Sequence, residues 1–162
     1  MKRLLLFAAT LAAAGCGSPG QPKAQTLTGA GYSFSAPGTW TVSERPQSVR
    51  ATNGDLAVSV TVFALKRAFR PALWPRVVAE LDGVAASLAD QLRGKARPGA
   101  TVTVAGRRAR RYDIAFARGG RSFVERITFV LDARREFQLL CRYPAGVDEP
   151  ACAALGSSFR LR

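Results

Sequence analysis

The sequence predicts an α+β domain in which an antiparallel β-sheet carries one long helix and a short C-terminal helix. Short segments that alternate apolar and polar residues come first, and a period close to 3.6 residues follows after Pro71. Alternation then returns and continues to about Tyr143. Because runs of strands are separated from the helices and joined by short turns, an α+β fold with antiparallel pairing is expected.

The strands before the long helix are marked by turn signals. Residues 32–35 alternate between apolar and polar side chains, and residues 49–52 form a second such segment. That segment runs into Asn53-Gly54, a strong hairpin signal, and continues along residues 56–65. A two-residue turn at this point places Ala51 opposite Leu56 and buries the apolar side chains of both strands together.

A long amphipathic helix is predicted between residues 73 and 92. Its apolar side chains recur at spacings of three or four residues: Leu73, Val77, Leu81, Val84, Leu88 and Leu92. Pro75 suits a first helical turn, and Gly94 with Pro98 ends the element. We interpret the apolar stripe as the face that packs on the sheet, the alternative being a groove for a cofactor or a partner.

A meander and a short helix complete the predicted fold. After a short strand at residues 101–104, the three strands of the meander are residues 109–117, 122–131 and 137–143. Its turns lie at residues 118–121 and around residues 133–135. Asp148-Glu149-Pro150 combines a capping carboxylate, a first-turn acid and an early proline, which predicts a closing helix that runs to about Gly156.

The N-terminal residues have the features of a bacterial lipoprotein signal. Lys2 and Arg3 precede an uncharged run, residues 4–14, which is too short to span a bilayer permanently. Gly15-Cys16 resembles the lipobox, which implies cleavage before Cys16 and lipid modification of its thiol. We therefore predict a signal peptide at residues 1–15, a lipidated cysteine with a flexible tether at residues 16–28, and a globular domain at residues 29–162.

The cysteine count agrees with this organisation. The chain has three cysteines, and acylation of Cys16 would leave Cys141 and Cys152 as a pair. An oxidising compartment favours a disulfide between these two residues, which would join the last strand of the meander to the last helix. The alternative is that both remain buried free thiols.

The charge of the chain favours anionic partners. The formal net charge is +13, and loss of Lys2 and Arg3 with the signal peptide leaves +11. The candidate contacts for an anionic lipid or glycan of the envelope are Arg107, Arg108, Arg110 and Arg111. Alternation along a strand would send the first and last of these to one face and the middle two to the other. The alternative is a solvated surface without a ligand.

The residue types present argue against several kinds of site. The chain contains no histidine, so Ser-His and Cys-His nucleophilic systems and histidine metal sites are excluded. Zinc would need four ligands such as thiolates, and only Cys141 and Cys152 remain. Nucleic acid is not expected as a partner, because no recognised motif is present and the envelope is the wrong compartment. We expect no catalytic residue, no metal and no cofactor.

Two carboxylates lie close across a predicted hairpin and are the obvious candidates for acid–base chemistry. An even turn that pairs Arg118 with Arg121 places Asp113 opposite Arg126 and on the face of the sheet away from Glu125. We therefore predict an ion pair between Asp113 and Arg126. Glu125 is either a rim residue paired with a neighbouring arginine or a polar group in a ligand cleft.

Several segments carry a family resemblance: Tyr32-Ser33-Phe34 with Pro37 and Trp40, the long helix, Gly106-Arg107-Arg108-Ala109, Phe137-Gln138-Leu139-Leu140-Cys141, and Cys152 with Ser158-Phe159. Over about residues 29–160 they resemble the PsbP/DcrB-like superfamily, which includes the Ran-binding Mog proteins of eukaryotes. This resemblance implies an α/β/α sandwich that acts mostly by docking to larger assemblies, without chemistry. No functional residue of a relative is carried over to this chain.

These observations predict a non-catalytic, membrane-anchored envelope lipoprotein that binds or stabilises an envelope protein assembly. One alternative is a binding module for an anionic lipid or glycan, and another is an enzyme that depends on a lone carboxylate such as Glu125. The domain is expected to face the periplasm or the exterior. Gly17 follows Cys16 where some bacteria carry an aspartate that retains lipoproteins in the inner membrane, so the outer membrane is favoured in a cell with two membranes.

Overall fold

A computed structural model of the protein describes residues 23–162. The predicted signal peptide, Cys16 and residues 17–22 of the predicted tether lie outside the described residues. Among residues 23–162, none of the helices combines the length and the hydropathy that crossing a membrane requires.

The described chain forms two antiparallel sheets and two α-helices. The strands are β1 (Ala24–Gly29), β2 (Tyr32–Pro37), β3 (Thr41–Arg45), β4 (Ser48–Asn53), β5 (Leu56–Ala64), β6 (Lys95–Ala96), β7 (Ala100–Val104), β8 (Arg107–Arg118), β9 (Arg121–Asp132), β10 (Arg135–Pro144) and β11 (Arg160–Leu161). The helices are α1 (Trp74–Gln91), preceded by a 3-10 turn at Pro71–Leu73, and α2 (Pro150–Ser158).

The large sheet has the order β3-β4-β5-β10-β9-β8-β6, with β7 also paired to β8, and the small sheet has the order β1-β2-β11. One face of the large sheet, here called the α1 face, packs Ile114, Ile127 and Phe129 against α1. The opposite α2 face packs against α2 and the small sheet. The predicted α+β fold with one long helix and a short C-terminal helix is confirmed.

Aromatic side chains hold the small sheet and α2 on the large sheet. Tyr32 and Phe159 are fully buried, and their rings lie within 6.2 Å of each other. The Tyr32 hydroxyl donates a hydrogen bond to the Val60 carbonyl oxygen at 2.8 Å and accepts one from the Val49 amide at 3.1 Å. Because the buried Tyr32 hydroxyl both donates and accepts a hydrogen bond, it fixes the small sheet against β4 and β5 and leaves no unsatisfied polar group.

The predicted C-terminal boundary of the tether, residue 28, lies inside a strand of the domain. Ala24–Gly29 is strand β1, which pairs along its whole length with β2, and Leu27 is buried in the core. The Gln25 side chain donates hydrogen bonds to the carbonyl oxygens of Pro37 and Trp40. Residues 24–28 therefore belong to the domain. Backbone pairing holds a strand in which only one apolar side chain is buried, and hydrophobic patterning does not detect such a strand.

The β4–β5 hairpin differs from its predicted register. Asn53 pairs with Leu56 and Ala51 pairs with Val58, so the two loop residues are Gly54 and Asp55. Gly54 has a φ of 57°, which a glycine adopts at little cost. The shift relative to the predicted partner of Ala51 is two residues, and it therefore leaves every side chain on its predicted face.

The predicted stripe of α1 packs on the sheet at four of its six positions: Val77, Leu81, Leu88 and Leu92. Trp74, Leu81, Ala85 and Ala89 are the buried residues of the helix, whereas Val84 is 40 % exposed and Leu73, in the 3-10 turn, is 44 % exposed. The buried face therefore includes two small alanine side chains that the apolar spacing did not mark.

The structure contains the disulfide between Cys141 on β10 and Cys152 on α2, with 5.4 Å between their Cα atoms. Glu149 caps α2 by accepting a hydrogen bond from the Ala151 amide, so the cap is one residue later than the predicted Asp148. The disulfide and the cap together fix α2 against the α2 face of the large sheet.

Replacing both disulfide cysteines by alanine is expected to lower the free energy of unfolding by about 3 kcal/mol, because a short loop in the unfolded chain is then no longer closed. The check is chemical denaturation of the oxidised protein, the reduced protein and the double variant. Reduction of the disulfide and substitution of both cysteines should lower the free energy of unfolding by the same amount. If all three forms had equal stability, the stabilising role of this disulfide would be wrong.

Candidate functional site

The four arginines in the first half of β8 do not form one basic patch. They are Arg107, Arg108, Arg110 and Arg111. Arg108 and Arg110 lie on the α1 face, where the Arg108 guanidinium is 5.5 Å from the Trp74 ring centroid. Arg107 and Arg111 lie on the α2 face, and Arg107 pairs with Asp132 at 3.0 Å. Strand alternation separates the four, as the sequence predicted, and three of them contact other side chains; their role as contacts for an anionic ligand stays a prediction.

Arg111 differs from the other three. Within residues 23–162 its side chain forms no ion pair and no hydrogen bond to another side chain. It lines a cleft of about 400 Å³ between α2 and strands β7–β10, together with Arg126 and Thr128. The apolar lining includes Val102 of β7 and Leu155 of α2. The cleft thus has a cationic end and an apolar wall.

The predicted ion pair between Asp113 and Arg126 is present in this cleft region. Nε of Arg126 donates to Oδ1 of Asp113 at 2.7 Å, and Nη2 donates to Oδ2 at 2.8 Å. This bidentate hydrogen bond lowers the pKa of Asp113, and the nearby charges of Arg111 and Arg97 lower it further. The Arg126 guanidinium also lies 5.7 Å from the Tyr143 ring centroid, so its position is fixed from two sides.

The strand register brings the cationic groups together. Arg111 lies directly opposite Thr128, and Asp113 lies directly opposite Arg126. Arg111 and Arg126 are therefore diagonal neighbours on the α2 face, about 7–8 Å apart, which long side chains can span. Nη1 of Arg126 has no hydrogen-bond partner within residues 23–162. One carboxylate faces the three guanidiniums of Arg97, Arg111 and Arg126, so the region keeps a positive charge.

Glu125 lies on the α1 face and is paired with an arginine, one of the two alternatives that the sequence left open. Its Oε2 accepts hydrogen bonds from Nε and Nη2 of Arg142 at 2.9 and 2.6 Å. The Glu125 side chain is 7 % exposed and that of Arg142 is 16 % exposed. Burial lowers the pKa of nearby Arg50, and the positive charge of Arg142 acts in the same direction. The predicted pairing of Glu125 with a neighbouring arginine is thus present, but the pair is buried and does not lie at a rim.

A third polar cluster joins α1 to the large sheet. The Tyr112 hydroxyl donates a hydrogen bond to Oδ1 of Asp82 at 2.5 Å, and Nη2 of Arg110 donates to the same oxygen at 3.2 Å. Burial, and secondly the hydrogen bond to Asp82, raise the pKa of Tyr112 to about 12. The hydrogen bond from Tyr112 lowers the pKa of Asp82. This cluster fixes the position of α1.

The raised pKa of Tyr112 predicts a loss of stability at alkaline pH. Its folded pKa of about 12 lies above the ordinary value of 10, so the hydroxyl stays protonated in the folded state where the unfolded chain would ionise. The contribution is complete below pH 10 and is lost as the pH rises from 10 to about 12. Denaturant unfolding at a series of pH values should show a smaller alkaline loss for Tyr112→Phe than for the unsubstituted protein. An equal loss in both proteins would contradict the assignment.

Within the described part of the chain, no group of three or more His, Cys, Asp or Glu side chains is placed to hold a metal ion. No protein-family model matches the sequence. No curated protein matches it at a significant level. The comparisons that do give matches are those with solved structures.

The solution structure of cyanobacterial PsbP (CyanoP) from Synechocystis matches with a TM-score of 0.63 and 12 % sequence identity. The match covers 93 % of this chain and 99 % of that one. The chain has a PsbP-like fold. At this identity the likeness shows the fold alone, so the PsbP-like domain takes no residue roles from it.

Two further structures share the architecture of this PsbP-like domain. LpqN, described as involved in cell envelope biogenesis of Mycobacterium tuberculosis, matches with a TM-score of 0.50 and 12 % identity over 86 % of this chain and 90 % of that one. A Bacteroides thetaiotaomicron protein matches with a TM-score of 0.62 and 14 % identity over 88 % of this chain. The match spans about half, 49 %, of the Bacteroides protein's length.

Sequence reasoning identified Arg111 and Arg126 separately and missed the cleft that contains both. Nothing in the sequence marked Thr128 as a site residue, since it is a single polar residue within the apolar run 127–131. The strand register Asp113 opposite Arg126 implies that Arg111 lies opposite Thr128, and this register was available from the Gly119-Gly120 turn. The position of α2 over these residues was not available, because no local pattern specifies which strands a short helix covers.

Proposed function

We propose that the protein is a non-catalytic, lipid-anchored protein of the cell envelope that binds or stabilises an envelope protein assembly. The lipobox-like Gly15-Cys16 supports the anchor, and the fold shared with LpqN, a protein of cell envelope biogenesis, is compatible with the location. A bacterial lipoprotein carries more than one acyl chain, which gives firmer attachment than a single chain would. The positive charge of the mature chain adds attraction to anionic headgroups.

The observation that carries the proposal is the use of the internal carboxylates. Asp113 is bound on both oxygens by Arg126, and Glu125 is bound by Arg142. A general base needs a pKa near the working pH, whereas pairing with Arg126 lowers the pKa of Asp113, and Glu125 is buried against the Arg142 guanidinium. These carboxylates therefore suit a structural role, which favours binding over catalysis as the function of the domain.

Crosslinking in intact cells tests the proposal. The native protein and a Cys16→Ser variant, adjusted to equal amounts, are crosslinked and purified, and the captured proteins are identified. We expect one dominant protein partner with the native protein and loss of that partner with Cys16→Ser, because the anchor places the domain beside the assembly. The same partner should be captured by a Cys152→Ala variant, which keeps the anchor and lacks only the disulfide.

Two outcomes would contradict the proposal. Capture of only lipid or glycan, lost at high salt, would indicate a charge-driven binding module in place of a protein-binding one. Detection of a turnover that a single substitution such as Glu125→Gln abolishes, in a variant that remains folded, would show that the protein is an enzyme.

A further inference from the structure

The cleft beside α2 has the composition of a site for an amphiphilic anion. Arg111, Arg126 and Thr128 form its polar end, and Val102, Leu139 and Leu155 contribute apolar surface. Its volume of about 400 Å³ lies within the range of small-molecule sites. A few convergent polar groups beside an apolar wall can bind both the head and the first part of the tail of one ligand.

We propose that this cleft binds a lipid with a phosphate monoester headgroup. In this arrangement Arg111 and Nη1 of Arg126 donate hydrogen bonds to the phosphate oxygens, and the Thr128 hydroxyl donates a further one. Guanidinium groups match phosphate oxygens in geometry and make charge-assisted hydrogen bonds to them. The apolar tail lies against Val102 and Leu155.

The charge of the cleft region favours a phosphate monoester over a singly charged headgroup. The guanidiniums of Arg111 and Arg126 line the cleft, Arg126 is paired with Asp113, and the charge of Arg97 acts on Asp113 from outside the lining, so the region stays positive within the described residues. A phosphate monoester carries about −1.5 to −2 charges at neutral pH and can therefore bind both Arg111 and the Arg126 guanidinium. Asp113 already uses both oxygens on Arg126, so it positions that guanidinium and leaves Nη1 available.

The walls of the cleft are held in place before a ligand arrives. Cys141 and Cys152 both line the cleft, and their disulfide joins its sheet wall to its helix wall. Tyr143 lies under the Arg126 guanidinium, and burial raises the pKa of that tyrosine, which therefore adds no negative charge at neutral pH. A preorganised site loses less conformational entropy on binding.

Titration calorimetry on the full chain carrying Cys16→Ser tests the inference, since no acyl group of the protein itself then competes. The three probes are dihexanoyl phosphatidic acid, inorganic phosphate and dihexanoyl phosphatidylcholine. We expect phosphatidic acid to bind at least about tenfold more tightly than either of the other two, because only it uses both the guanidiniums and the apolar wall. Equal affinity for inorganic phosphate would overturn the lipid assignment in favour of free phosphate.

Arg111→Gln is expected to weaken phosphatidic acid binding about tenfold, which is the effect of removing one hydrogen-bonded charge. The matched control is Arg118→Gln, which removes the same charge from the exposed end of the same strand, away from the cleft. Thr128→Val should also weaken binding while keeping the side-chain shape. Equal losses for the Arg111 and Arg118 variants would overturn the inference, because they would indicate nonspecific attraction. The inference does not depend on the proposed protein assembly, which is tested by crosslinking.

Discussion

Replacing Glu125 by alanine is expected to lower the free energy of unfolding by about 3–5 kcal/mol. The substitution leaves the Arg142 guanidinium, which is 16 % exposed, without the carboxylate that accepts two of its hydrogen bonds. Arg50 lies nearby on the same face and adds like-charge repulsion. A guanidinium removed from water and left unpaired is costly, and that cost, not the lost attraction, is the larger part of the effect.

Chemical denaturation of Glu125→Ala and of Glu80→Ala measures this difference. Glu80 pairs with Arg76 on the exposed surface of α1, with side chains that are 66 % and 82 % exposed, so its loss should change stability by less than about 1 kcal/mol. Replacing Glu125 and Arg142 together by leucine should restore part of the loss, because the buried Arg142 charge is then removed as well. Equal destabilisation by the two single variants would contradict the buried-pair account.

Phe159→Ala is expected to cost about 3–5 kcal/mol, since it leaves a cavity at the centre of the α2-face core. Phe159 is fully buried, and its ring centroid lies 5.7 Å from that of Phe137 and 6.2 Å from that of Tyr32. The residue joins α2 to strand β11, so its loss should also loosen the small sheet.

Phe63→Ala is the matched control, because this substitution removes the same type of side chain from a position that is 41 % exposed. Hydrogen exchange should show faster exchange of β1, β2 and β11 amides in Phe159→Ala and little change in Phe63→Ala. If both variants exchanged alike, the small sheet would not depend on this aromatic cluster.

The parts of the fold that follow from local chemistry were predictable. Gly119 and Gly120 both have positive φ, which a two-residue hairpin turn of this kind requires, and they set the register of β8 against β9. That register places Asp113 opposite Arg126, so the ion pair followed from the sequence. The recurrence of apolar residues in α1 also identified the helix, because a spacing of three and four residues has few other structural interpretations.

The parts that depend on contacts between distant segments were not predictable. Strand β1 has one buried apolar residue, Leu27, and is held by backbone pairing that composition does not reveal. The buried face of α1 includes Ala85 and Ala89, which the spacing of large apolar side chains does not mark. The cleft combines residues from β7 to β10 with α2, and its volume depends on how those elements pack.

The mass of the purified protein's N-terminal peptide tests the central claim, that a PsbP-like binding domain is held at a membrane by a lipid on Cys16. The protein is extracted from cell membranes with detergent, digested and analysed by mass spectrometry, with Cys16→Ser as the control. The account predicts a peptide that begins at Cys16 and carries a diacylglyceryl group, and it predicts that the Cys16→Ser variant lacks this group. A peptide that begins at Met1 with an unmodified Cys16 would contradict it.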